Sequence, residues 1–212
     1  MNILICSCIG FLVGGIPFGY LVGRLILKDD IRNHGSGNIG ATNVARVIGW
    51  KWGSLVLVLD AMKGLLPTWG ATCFAQMYEP ESMQVHIAVA TGISAILGHM
   101  YPVYLRLRGG KGVATALGVV LVLAPKAVLL AFAVFAVVAG ITRLVALGSI
   151  LAALAFGGIQ LTLMGSDALD PGNLSLTIFS VVVPLLIIWR HRGNIVRLIK
   201  GTELTVRTTV AA

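Results

Sequence analysis

Three polar clusters interrupt an otherwise oily chain, and their residue types suit the handling of an oxygen-rich anion. The most distinctive is Arg106-Leu107-Arg108-Gly109-Gly110-Lys111-Gly112, set between two long apolar runs. Glycine lets backbone N–H groups approach a ligand closely. Successive amides beside a lysine, with a helix starting near Val113, would cradle an anion such as phosphate. The run lacks the G-x-x-x-x-G-K-[ST] spacing, which excludes a nucleotide P-loop. A second cluster, Arg32 to Arg46 (RNHGSGNIGATNVAR), combines the hydroxyls of Ser36 and Thr42, the amides of Asn38 and Asn43, glycines and cations. That mixture suits a polar anion; its alternative is a solvated turn with Asn and Gly at positive φ. The third cluster, Arg190 to Glu203 (RHRGNIVRLIKGTE), also fits a basic amphipathic tail at the headgroup level. Within it His191 and Asn194, three apart, share one helix face. Asp60 and Lys63, three apart inside an apolar run, read as an internal ion pair that is either structural or part of a charged site.

Several chemistries are excluded. The chain has no G-x-S-x-G nucleophile elbow, and no His is followed five residues later by Asp, as the His-Asp glycerolipid acyltransferases require. No carboxylate or His cluster has metal-ligand spacing, so neither a metal nor another cofactor is expected. Cys6, Cys8 and Cys73 lack ligand partners and read as small apolar residues. A positive, hydroxyl-rich site this poor in general bases calls for a substrate that is already activated.

The elements that must position these residues are membrane spans. Hydrophobic residues make up 57% of the 212 and charged ones only 11%, and the mean hydropathy is +0.93. A soluble domain carries roughly twice that charge. The net charge of +8 does not point to nucleic acid, because Lys and Arg cluster at the ends of apolar runs, where they set topology. Apolar runs fall at about 3–27, 54–75, 86–105, 113–140, 144–165 and 174–189, most near the ~20 residues a span needs. The run at 3–27 has no cationic segment before it and is too long for a signal-peptide core, so it reads as a retained span. The run at 113–140 carries Ala124-Pro125-Lys126 near its centre, where Pro breaks a helix and Lys is costly in lipid.

Charge decides how to count it. Arg24, Lys28, Arg32, Arg46 and Lys51 follow the first span and belong in the cytoplasm. The connection around Glu79 and Glu81 has no Lys or Arg and suits the outside, whereas Arg106, Arg108 and Lys111 suit the inside. Two short helices turning near Pro125 then keep Arg143 and the basic tail (Arg190, Arg192, Arg197, Lys200, Arg207) inside. The expectation is a single all-α integral membrane domain over residues 1–212. It has seven transmembrane helices, two of them short, with the N-terminus outside and the C-terminus cytoplasmic. All three polar clusters then emerge on the cytoplasmic face.

At these residues the chain resembles the bacterial acyl-phosphate:glycerol-3-phosphate acyltransferase family. Its first motif is matched by Ser36 to Arg46 (SGNIGATNVAR), with Asp30-Ile31-Arg32 just before it. The second is matched by Gly98 to Pro102 (GHMYP) through Gly109 to Thr115 (GGKGVAT), and the third by His191 to Glu203. Asp60 to Gly64 (DAMKG) matches between them. One departure is Tyr104-Leu105-Arg106-Leu107-Arg108, where the family has an aromatic and then Lys before the double glycine. The resemblance implies a seven-helix enzyme of the bacterial inner membrane with its active site facing the cytoplasm. Its partners would be glycerol 3-phosphate, a fatty acyl phosphate and membrane lipid. Ser36, Arg46, Lys111 and Asn194 would surround the reacting phosphates and His191 would assist. The 109–112 backbone (Gly109, Gly110, Gly112) would bind the glycerol-3-phosphate phosphate, with Asn38, Thr42, Asn43 and Glu203 as further substrate contacts. The competing class is a carrier for a phosphorylated metabolite, which inverted repeats would support; no convincing internal repeat is present.

Overall fold

A computed structural model describes residues 1–205, which excludes Arg207. Among them there are ten α-helices and no strand: α1 (Asn2–Gly14), α2 (Phe18–Ile26), α3 (Ala41–Val47), α4 (Trp50–Tyr78), α5 (Glu81–Met100), α6 (Val113–Leu123), α7 (Pro125–Thr142), α8 (Val145–Met164), α9 (Leu174–Arg190) and α10 (Arg192–Ile199). The first apolar run is broken at Gly15–Pro17 into α1 and α2, since Pro17 has no N–H to continue the ladder. The Ile16 carbonyl at that break accepts a hydrogen bond from Lys63 Nζ at 2.6 Å. By length and composition four segments can cross a membrane, and a fifth if the bent pair α9–α10 counts as one span.

The run at 113–140 divides where its sequence indicates. Ala124 leaves helical geometry (φ −150°, ψ 60°) and Pro125 opens α7, a position where its missing N–H is no loss. Lys126 is exposed at this turn rather than buried mid-span. One expectation is corrected: only α6 is short, about 16 Å at 1.5 Å per residue. The second helix runs 18 residues to Thr142, because no breaker intervenes before Arg143. The first polar cluster contains α3, a short helix that forms because Val44 and Ala45 bury against the core.

Small residues set the helix packing. Any side chain on Gly14 would strike Ala95 of α5, and one on Gly118 of α6 would strike the Ala61 carbonyl of α4. Such close approach is how helices associate where lipid removes the hydrophobic drive. One core joins α5, α6, α7, α8 and α9 around Ile96, Val119, Phe156 and Phe179. A smaller one fixes the loop after α2 through Ile31, Ile39 and Val44. Asn2 donates to Glu79 at 2.6 Å, which puts the N-terminus and the acidic connection at one end of the bundle. The three polar clusters meet at the other.

Candidate active site

The clusters converge on one cavity of about 560 Å³. Its mouth is lined by Ser36, Asn38, Thr42, Asn43, Arg46, Lys111, Gly112, His191, Asn194 and Glu203, which brings ten of the twelve expected site residues together. From there the cavity continues between α6, α7, α8 and α9 as an apolar trough past Leu117, Phe132, Phe135 and Phe156.

Local structure decides what each mouth residue can offer. Asn43, 2% exposed, organises the first loop. Its Oδ1 accepts from Ser36 N at 2.7 Å, and its Nδ2 donates to the carbonyls of Ile31, His34 and Asn38 at 3.3, 3.1 and 2.9 Å. Both amide hydrogens are thereby occupied, so Asn43 fixes the loop that presents the Ser36 and Thr42 side chains. Asn38 Oδ1 accepts from Gly40 N, which turns the chain into α3. Arg32 is held at 2.6 Å by Asp30 and is not among the residues that line the cavity.

Gly109 and Gly110 are not brought to the cavity. Their N–H groups donate to the carbonyls of Met100 and His99, and their own carbonyls accept from Arg190. Gly110 lies so tightly on the His99 ring that a Cβ would overlap Nε2. The double glycine is therefore a clasp between the end of α5 and Arg190, which also stacks on Tyr101 at 5.3 Å. Gly112 takes the left-handed φ of +84° that launches α6 and delivers Lys111 to the mouth. Arg106, Leu107 and Arg108 are exposed and do not line the cavity, so the departure at Arg108 falls outside the site.

At the third cluster α10 turns 59° from α9 and folds the following residues back over the mouth. Glu203 accepts from Asn194 Nδ2 at 2.7 Å and Arg197 Nε at 2.8 Å. Arg46 donates to the carbonyls of Leu204 and Thr205 at 2.8 and 3.1 Å. Glu203 is thus an internal counter-charge that orients Asn194, and Arg46 reaches the cavity while gripping the tail. His191, 2% exposed, has Nδ1 at 2.8 Å from the Ile187 carbonyl. That makes Nδ1 the protonated nitrogen and leaves Nε2 as an acceptor. Burial, reinforced by the nearby Lys111 charge, pushes the imidazole down to about 4. Burial likewise pushes the Lys111 ammonium down to about 8, with Glu203 opposing the shift.

Sequence reading missed Trp50 and Ser54 at the start of α4 and Ser149 of α8; Asp60, read as either structural or part of a charged site, does line the wall, together with His99. Asp60 pairs with Lys63 at 2.9 Å, and His99 Nδ1 lies 3.8 Å from the same carboxylate. Ser54 has no local signal: Gly49, at φ +111°, separates α3 from α4, so the place of Ser54 in the same wall as Arg46 is tertiary. Among the described residues no group of three or more His, Cys, Asp or Glu side chains is arranged to hold a metal.

A helical bundle with several membrane-length helices, whose cation- and hydroxyl-lined mouth opens into an apolar trough, defines an integral membrane protein with an amphipathic cavity. The family model described as glycerol-3-phosphate acyltransferase matches residues 4–201. The chain belongs to this family. A Myxococcus xanthus glycerol-3-phosphate acyltransferase is 49% identical over 196 residues, 92% of this chain and 95% of the relative. One from Syntrophotalea carbinolica is 46% identical over 193 residues, 91% and 92% of the two chains. Crystal structures of PlsY, an integral membrane glycerol 3-phosphate acyltransferase, superpose with TM-scores of 0.84 and 0.81 at 37% and 36% identity. They cover 97% and 98% of this chain, and 96% and 97% of their own, in the glycerol 3-phosphate and lysophosphatidic acid forms.

Proposed function

We propose that this protein transfers a fatty acyl group from an acyl phosphate to the 1-hydroxyl of sn-glycerol 3-phosphate, giving 1-acylglycerol 3-phosphate and inorganic phosphate, the first step of phospholipid synthesis. The observation that carries this reading is the continuity of one cavity from a cationic mouth to an apolar trough. The glycerol phosphate and the phosphate of the donor occupy the mouth, and the acyl chain lies in the trough. Lys111 and Arg46 neutralise phosphate charge. Ser36, Asn38 and Thr42 contact substrate oxygens, and Asn194 orients the acyl carbonyl. Asn43 and Glu203 act by holding the loop and Asn194 rather than by touching substrate.

The donor follows from the shortage of bases. Of the lining carboxylates, Asp60 pairs with Lys63 and Glu203 with Asn194 and Arg197. His191 Nε2 accepts a hydrogen bond from the attacking hydroxyl, but an imidazole held near 4 is a poor sink for a full proton. A mixed anhydride with phosphate as leaving group needs neither an enzyme nucleophile nor a strong base. The hydroxyl oxygen bonds to the acyl carbon, the carbon–oxygen bond to phosphate breaks, and the hydroxyl proton passes to a substrate phosphate oxygen.

The topology is seven spans, with α1 and α2 forming one broken span and α4 to α9 one each. The N-terminus lies outside a bacterial inner membrane, and the mouth faces the cytoplasm, where glycerol 3-phosphate is available. The test is a donor swap. Purified protein given glycerol 3-phosphate with palmitoyl phosphate is expected to release phosphate and 1-palmitoylglycerol 3-phosphate, and with palmitoyl-CoA to release neither. Turnover with the thioester alone would overturn the donor assignment.

A further inference from the structure

The trough is closed at its far end, and the closure is aromatic. On each of its four helices the lining stops at one level: Val120 of α6, Val128 of α7, Phe156 of α8 and Val183 of α9. Beyond that level, Ala124, Ala127 and Phe179 are buried in the same continuous core and line nothing. Phe156 is 6% and Phe179 0% exposed. Their rings meet edge to face, centroids 6.2 Å apart at 87°, an arrangement that resists displacement. Above this floor alanines, notably Ala131 and Ala153, leave the space that Leu117, Phe132 and Phe135 flank. From Val145 at the mouth to Phe156 the trough runs about 16 Å along α8.

We infer that Phe156, braced by Phe179, is the specificity-determining residue for donor length: the methyl end of the acyl chain stops against its ring. The inference rests on the acyl phosphate reading above. A chain shorter than the trough leaves apolar lining uncovered, and a longer one must displace packed core. Each methylene gained or lost from burial changes affinity about fourfold.

The experiment measures kcat/KM for myristoyl, palmitoyl and stearoyl phosphate in wild type, Phe156→Ala and Ala153→Leu, each checked for a cooperative thermal transition in detergent. Phe156→Ala lowers the floor by about two methylenes and is expected to raise the stearoyl-to-myristoyl ratio roughly tenfold. Ala153→Leu raises the floor and is expected to lower that ratio by a similar factor. Either variant decides the matter if the other does not fold. A folded variant with the wild-type ratio overturns the role of Phe156 and leaves the donor assignment standing. A wild type that turns over no acyl phosphate overturns both.

Discussion

The mouth and the trough of this cavity are built on opposite principles. In the mouth, side chains are fixed by directional bonds. Asn43 joins four backbone groups of the first loop, Glu203 aligns Asn194, and the tail carbonyls hold Arg46. In the trough the hydroxyl of Ser149 is turned onto its own helix at the Val145 carbonyl, and the rest of the lining is defined by shape, alanines against a few aromatic rings. The difference teaches where substitutions should register. Damage to the mouth lowers turnover for every donor alike, whereas damage to the trough redistributes turnover among donors. Polar groups fix chemistry because charge and orientation have sharp optima; packed hydrocarbon discriminates only by volume.

The sharpest way to break this contrast is Lys111→Ala, which is expected to lower kcat/KM at least about 10³-fold, equally for short and long donors, by loss of phosphate neutralisation. With Lys111 pushed down to about 8, wild-type kcat/KM should fall as pH rises through that value, and Lys111→Arg should move the alkaline limb upward. Ser36→Ala, which keeps the backbone bond to Asn43, is expected to cost about 10²-fold with the donor profile unchanged. His191 separates stability from chemistry. Its folded-state value of about 4 lies below the ordinary 6.5, so the unfolded chain binds the extra proton first as pH falls. Stability is fully present above 6.5 and declines toward 4 by up to about 3 kcal/mol; thermal melts of His191→Asn should lose that slope. Asn43→Ala should destabilise by roughly 2–3 kcal/mol through buried carbonyls left unpaired, read as a lowered Tm. Arg108→Ala, outside the cavity, should leave kcat/KM within about twofold.

Most of the mouth was legible because polar residues in an oily chain need a reason to be there. Ser36, Thr42, Arg46, Lys111, His191 and Asn194 do meet. What residue type alone does not reveal is direction. The glycine amides of 109 and 110 look available in the sequence, yet the carbonyls of Met100 and His99 accept them. Those carbonyls are free only because α5 ends at Met100, a tertiary circumstance with no local signature. Asn43 shows the same limit, its amide turned inward by loop geometry. The break at Ala124 was legible from Pro125 and Lys126, whereas the length of α7 depends on where Arg143 adopts a left-handed conformation. The trough was legible only as hydrophobicity, since depth is a property of four helices together.

The bond from Lys63 to the Ile16 carbonyl bears on biogenesis. Helices are synthesised in order, so the first span is made with its gap at Gly15–Pro17 and with Phe18 N, at 3.2 Å, as the local donor to that carbonyl. Lys63 arrives on α4, and Asp60 travels with it one turn away, making the incoming charge nearly neutral. The N-terminal span is therefore completed by a later one: the broken turn at Gly15–Pro17 and the Asp60–Lys63 pair satisfy each other only when α2 and α4 are packed together.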